Sequence, residues 1–170
     1  MSITGNIYGI NGPIITIKGN LGFKMSEMVY VGKNRLVGEV IGLNREETTI
    51  QVFEETTGLR PGELVEGASK AISVTLAPGI ITNIFDGIER PLQLIGQNNG
   101  AYIPRGVNVD LLDKNRKWET TICVKPQDIV SGGTIIAEVP ETPAIVHKVM
   151  VPPQVNGTVV WVAENGSYTI

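Results

Sequence analysis

The chain has 170 residues, of which 42% are hydrophobic, with a formal net charge of −3 and a pI near 5.2. That apolar share is enough for a packed core and excludes a disordered chain, while the acidic balance argues against a nucleic-acid partner or an anionic membrane surface. No stretch approaches the roughly 18 consecutive apolar residues of a membrane-spanning helix, and Met1-Ser-Ile-Thr-Gly-Asn-Ile has neither the basic start nor the apolar run of a signal peptide.

Twenty Gly and ten Pro interrupt short Val/Ile-rich runs, the rhythm of an all-β chain. Residues 3–8 and 14–18 read as two strands joined through Asn11-Gly12-Pro13. Residues 28–31 and 36–43 follow, with Lys33-Asn34 at the tip between them; a short helix near Ser26 is a weaker signal. Gly38 and Gly42 fall inside a strand, where glycine marks a bend, a bulge or a close backbone approach, as the corners of a small barrel require. Residues 48–53 alternate, with Thr48, Ile50 and Val52 on one face. A polar loop at 54–62 leads to strands at 63–68 and 71–76. Pro78 to Ile88 is the predicted helix: Pro suits a first turn, Ile80, Ile81, Ile84, Phe85 and Ile88 recur at helical spacing, and Asp86-Gly87 and Pro91 end it. Residues 93–100 are polar and turn-like and mark a boundary. A second β unit follows, with strands predicted at 118–124, 129–130, 134–139, 145–151, 157–162 and 168–170. Asn156-Gly-Thr and Asn165-Gly-Ser read as turns rather than glycosylation sites.

The particular strings are more specific than their patterns. Ser73-Val-Thr-Leu-Ala-Pro-Gly-Ile-Ile-Thr-Asn-Ile-Phe-Asp-Gly-Ile-Glu-Arg-Pro-Leu92 resembles the segment that leaves the N-terminal barrel in the catalytic A subunit of V-type and archaeal-type rotary ATPases. Ala77 stands where that family usually has Gly, and Ile80-Ile81 where it usually has leucines. Gln51-Val-Phe-Glu-Glu-Thr-Thr-Gly-Leu-Arg-Pro-Gly-Glu63, Tyr102-Ile-Pro-Arg-Gly-Val107 and His147-Lys-Val-Met-Val-Pro152 with Gly157-Thr-Val159 extend the match in family order. The resemblance implies an all-β architecture: a six-stranded N-terminal barrel over 1–76, a connecting helix and linker over 77–109, and over 110–170 a second, barrel-sandwich-hybrid-like β domain, the non-homologous or bulge region. It also implies a fragment of a longer subunit, on the cytoplasmic side of a peripheral membrane complex that couples ATP turnover to ion transport. The barrel would join neighbouring B subunits in a crown ring, and the bulge would meet peripheral-stalk or membrane-sector subunits. Composition nominates the tip Lys33, Asn34, Arg35 and the loop residues Glu54, Glu55 and Arg60 as subunit contacts.

Catalytic chemistry is sparse. ATP hydrolysis needs a Gly-rich loop whose N–H groups cradle phosphates, followed by Lys and Ser/Thr, and no Gly-x-x-x-x-Gly-Lys-[Ser/Thr] is present. Gly32-Lys33 is followed by Asn34, and no Gly-x-Gly occurs anywhere. The expectation is that this chain holds no cofactor, ATP and Mg belonging to the rest of the subunit, and that it is not an enzyme by itself. His147 is the single histidine and reads as structural or surface. Cys123 is the lone cysteine, so no internal disulfide forms; within Thr121-Ile-Cys-Val124 it reads as a buried, inert thiol. Glu54 and Glu55 are adjacent and point apart on an extended chain, so they do not converge for acid–base work and read as a solvated loop or a contact. The rival reading is a biotinyl or lipoyl carrier modified on Lys148, because residues 128–159 resemble such a domain. Against it, the turn between the two halves falls at 140–143, which holds no lysine, and the Glu-Ala-Met-Lys-Met signature is absent. A barrel binding oligonucleotides or sugars would want a basic face and exposed aromatics, and only 5% of residues are aromatic.

Overall fold

The computed structural model describes residues 3–100, 102–107 and 109–170. Six strands form first: β1 Thr4–Asn11, β2 Ile14–Lys18, β3 Glu27–Val31, β4 Leu36–Leu43, β5 Glu47–Val52 and β6 Leu64–Ala71. They close into an antiparallel barrel in the order β1-β2-β5-β4-β3-β6. Closure follows from β6, which pairs with β1 along Thr4–Asn6 and with β3 along Glu27–Val31. Each strand sends alternate side chains inward, and Ile15, Val29, Val31, Val40, Ile50 and Val65 are fully buried. Thr48 shares that face with Ile50 and Val52, as its alternation predicts, and its hydroxyl donates to Gly19 O at 2.8 Å. The other polar group within is Glu27, whose carboxylate accepts from Ser69 N at 2.8 Å and Lys24 N at 2.9 Å and so is buried without a deficit.

The strand glycines act as expected. The β4–β5 register shifts between Val40 and Gly42. A Cβ on Gly38 would lie 2.7 Å from the backbone oxygen of Gln51, so the two strands approach as only glycine allows. Two expectations fail in this region. Residues 71–76 form no strand of their own: β6 runs unbroken to Ala71 and closes the barrel, which leaves no free edge for another strand. Ser26 sits in a turn with φ 58° rather than in a helix.

The predicted helix is displaced. Residues 78–88 form successive turns, and α1 is Leu92–Asn99. Asn83 and Asp86 take an acceptor, Gly79 O, and a donor, Ile88 N, that helix 78–88 would need, while Glu141 holds first-turn amides that a helix leaves unpaired. The Glu141 carboxylate accepts from Gly79 N and Ile81 N, Asn83 Nδ2 donates to Gly79 O, and Asp86 Oδ1 accepts from Ile88 N and Arg90 N. Gly79 itself has φ 104°. Pro91 precedes the helix that does form rather than ending one, and Gly100, at φ 79° with its N–H bonded to Gly96 O, closes it.

The remaining strands are β7 Trp118–Ile122, β8 Ile129–Val130, β9 Ile135–Thr142, β10 Ile145–Met150, β11 Gly157–Thr158 and β12 Gly166–Tyr168. They make a four-stranded sheet, β10-β9-β7-β12, and a two-stranded one, β11-β8. The chain divides into two compact units, one of Met1–Val74, Asp86–Arg90 and Leu94–Val109, the other of Thr75–Phe85, Pro91–Gln93 and Asp110–Ile170. In the second unit the buried core includes Leu112, Trp118, Ala137, Val139 and Val151. Cys123 is exposed, not buried, because exposure alternates along β7 and Cys123 continues the outward parity of Glu119 and Thr121. Among the described residues no helix is long and apolar enough to cross a membrane.

Candidate assembly interface at the barrel rim

The residues nominated as contacts come from two loops that the barrel brings to one rim. The β3–β4 turn holds Lys33, Asn34 and Arg35, all exposed. The 54–63 loop returns beside it because Glu63 ties the two together: one carboxylate oxygen accepts from Lys33 N at 3.3 Å, the other from Arg60 N at 3.0 Å. Gly32, at φ 69°, leaves room for Leu59 and Glu63 where a Cβ would collide with both. A cleft of about 650 Å³ opens here, lined by Tyr30, Lys33, Arg35, Arg60, Glu63 and Glu66 among others. Arg35 pairs with Glu66 and lies 4.3 Å from the centroid of the Tyr30 ring. Among the described residues neither Lys33 nor Arg60 has an ion-pair partner. Glu55 is exposed, its carboxylate accepting from the Thr57 hydroxyl at 2.6 Å.

Glu54 departs from its expected place in a solvated loop. Its side chain is only 8% exposed, and Oε2 accepts from Arg90 Nη1 at 3.1 Å and from Gly106 N at 2.9 Å. Arg90 in turn donates through Nε to Asp86 at 2.7 Å. Burial pushes the Asp86 carboxyl up, but the amides of Arg90 and Ile88 and the Arg90 guanidinium outweigh it and hold the group below its ordinary value. Next to this cluster Arg105 donates to the carbonyls of Glu55 and Thr57. Gly106, at φ 66°, presses against Asn34 O so closely that any Cβ would collide with it. Sequence reading missed Asp86, Arg90, Arg105 and Gly106 as site residues, although each lies inside one of the family-like strings; nothing in the spacing shows that the strings meet.

The second unit offers no comparable charged rim. Glu141 is its buried carboxylate, fully shielded, with Oε1 holding Gly79 N at 2.8 Å and Ile81 N at 2.9 Å. Oε2 lies 4.0 Å from His147 Nδ1 and has no hydrogen-bond partner. His147 occupies a strand position with its side chain 17% exposed. Lys148 is in mid-strand, opposite Glu138 on β9, while the β9–β10 turn falls at Pro143-Ala144, so the lysine is not presented at a hairpin tip. Among the described residues no group of three or more His, Cys, Asp and Glu could hold a metal ion.

Two family models match the chain in order along the sequence. Residues 7–67 match the beta-barrel domain of the ATP synthase alpha/beta family, and residues 109–170 match the ATP synthase alpha/beta subunit barrel-sandwich domain. The chain belongs to the ATP synthase alpha/beta family. Within the family it is similar over its whole length to the A (alpha) subunits of V- and A-type enzymes. It is 49% identical over 170 residues to the V-type ATP synthase alpha chain of Halothermothrix orenii, covering 100% of this chain and 29% of that one. The A subunit of the A-type ATP synthase of Pyrococcus horikoshii is 48% identical over 170 residues, 100% of this chain and 18% of that one. Its counterpart in Methanopyrus kandleri is 47% identical over 169 residues, 99% and 28% respectively. The chain thus spans less than a third of the length of these relatives, and corresponds to their N-terminal region.

Proposed function

We propose that this chain is the assembly part of the A subunit of a V/A-type ATP synthase, with residues 1–76 as the barrel, 77–109 as the connection and 110–170 as the bulge. The barrel joins barrels of neighbouring B subunits in a ring on the head of the complex, and the bulge meets peripheral-stalk or membrane-sector subunits on the cytoplasmic side. ATP and Mg bind in the remainder of the subunit, where ion-coupled turnover takes place. The observation that carries this reading is 46–49% identity to A subunits along the whole chain, together with a closed barrel that leaves no strand edge for β-pairing. Contacts between barrels then come from side chains rather than strand pairing, and the rim with unpaired Lys33 and Arg60 beside exposed Glu55 has suitable chemistry.

The test uses the full-length protein that carries this sequence. Reversing charge at Lys33, Glu55 and Arg60 together should reduce formation of the A/B head in native mass spectrometry, with the barrel still folded. Full assembly by that variant removes the rim as an interface. Deleting 110–170 should leave nucleotide binding intact and impair coupling or assembly; normal ion pumping by the deletion would sink the bulge assignment. The chain by itself should show no Mg-ATP binding in calorimetry, and micromolar binding would reverse that part of the proposal. Intact mass separates the carrier alternative, since biotin or lipoate on Lys148 adds a fixed increment.

A further inference from the structure

The strings 51–63, 73–92 and 102–107 are far apart in sequence, yet each contributes to one charged cluster in the barrel unit. Glu54 comes from the first, Asp86 and Arg90 from the second, Arg105 and Gly106 from the third. Arg90 sits between two carboxylates, with side-chain exposures of 15% for itself, 8% for Glu54 and 15% for Asp86. At that burial a charged pair is screened little by solvent, unlike the exposed Lys114–Asp110 pair. Glu54 spends its second interaction on Gly106 N, and the missing side chain of Gly106 lets that backbone close on Asn34.

We propose that Arg90, Glu54 and Asp86 form a lock that straps residues 86–90 and 102–107 onto the barrel, making them a mechanical part of it rather than a free connector. The strap runs against both the Asn34 turn and the 54–60 loop, so it also fixes the two loops of the rim in one arrangement. Three features converge on that role: a partly buried guanidinium between two carboxylates, a backbone amide received by the same Glu54 oxygen, and a glycine at a position where any side chain would push the strap away. The lock itself does not depend on the assembly reading; only its effect on subunit contact does.

Amide hydrogen exchange on the 170-residue chain tests it. Glu54→Ala removes the acceptor of Gly106 N and one partner of Arg90. Exchange at Ile88, Arg90 and Gly106 should then rise by about tenfold or more, the scale of a lost charge-assisted hydrogen bond, while the core amides of Ile15, Val29 and Ile50 change by less than about twofold. Trypsin should also cut the Arg105–Gly106 bond faster. Unchanged exchange at the three strap amides overturns the lock. Equal acceleration in strap and core overturns it too, because the cluster would then support the whole barrel rather than the strap. Should Glu54→Ala not fold, Arg90→Lys keeps the charge but loses the planar fork, and Gly106→Ala attacks the strap from its other side. Each must loosen the same amides for the lock to stand. Head assembly of the same variants reads the rim separately: loosened amides with normal assembly would leave the lock intact and count against the rim as a contact.

Discussion

Replacing Glu141 should detach the 78–83 turn within the second unit. Its carboxylate is wholly buried and receives two amides, Gly79 N at 2.8 Å and Ile81 N at 2.9 Å. Hydrogen bonds to a charged acceptor contribute about 1.5–3 kcal/mol each, and the desolvation of the carboxylate offsets part of that sum. Glu141→Ala should therefore cost about 2–4 kcal/mol, including the penalty of leaving the buried Gly79 amide unpaired. Glu141→Gln keeps an oxygen acceptor in place but loses the charge and puts an amide NH2 where the unpartnered Oε2 stood, so about 1 kcal/mol is expected. Urea unfolding followed by tryptophan fluorescence reads this unit selectively, because Trp118 and Trp161 are the two tryptophans and the barrel has none. With a urea slope of about 2 kcal/mol per molar, the Ala variant should lower the midpoint by about 1–2 M and the Gln variant by about 0.5 M. Midpoints for both variants within about 0.3 M of the parent chain, short of every shift that this slope predicts, would refute the argument that the carboxylate organises the turn.

Other outcomes follow from single positions. Gly38→Ala should destabilise the barrel by about 1–3 kcal/mol through overpacking against the Gln51 carbonyl, measured by thermal melting in the far ultraviolet; a neutral variant would mean the β4–β5 approach is easily relaxed. Asp86 has a folded-state value below its ordinary one, so its contribution is complete above the unfolded carboxylate range near ~3.9 and is lost as pH falls through the depressed value. Protection of the Ile88 and Arg90 amides, corrected for intrinsic exchange, should thus hold from neutrality to about pH 5 and fall below about pH 4; loss already at pH 6 would contradict the Arg90 pairing. Cys123 is exposed and should react fully with a thiol reagent in the native chain, whereas a need for denaturant would show it to be covered.

Much of this protein could be read before any fold was known. Alternation placed Thr48, Ile50 and Val52 on one face, the strand glycines marked the bend and the close approach, and β2, β4 and β8 fall where their Val/Ile runs lie. These are local properties, set by side-chain period and backbone sterics within a few residues. The family strings also located the chain within the A subunits, because a string of particular residues carries more information than its hydropathy. The helix was misplaced because apolar spacing at 80–88 is equally compatible with a run of turns, and the choice was made by Asn83 and Asp86 binding the backbone first and by Gly79 at φ 104°, with Glu141, about 60 residues away in sequence, holding the amides of the turn that results. Glu54 looked like a loop carboxylate until Arg90 and Gly106 came to it. Composition and local pattern therefore determined the β class, the barrel strands and the exposed Lys33–Arg35 tip. Which charges are buried against one another, and hence which of the conspicuous residues are free for a partner, was decided by tertiary structure alone, since a charge is tolerated inside only where distant residues supply its counter-charge and donors.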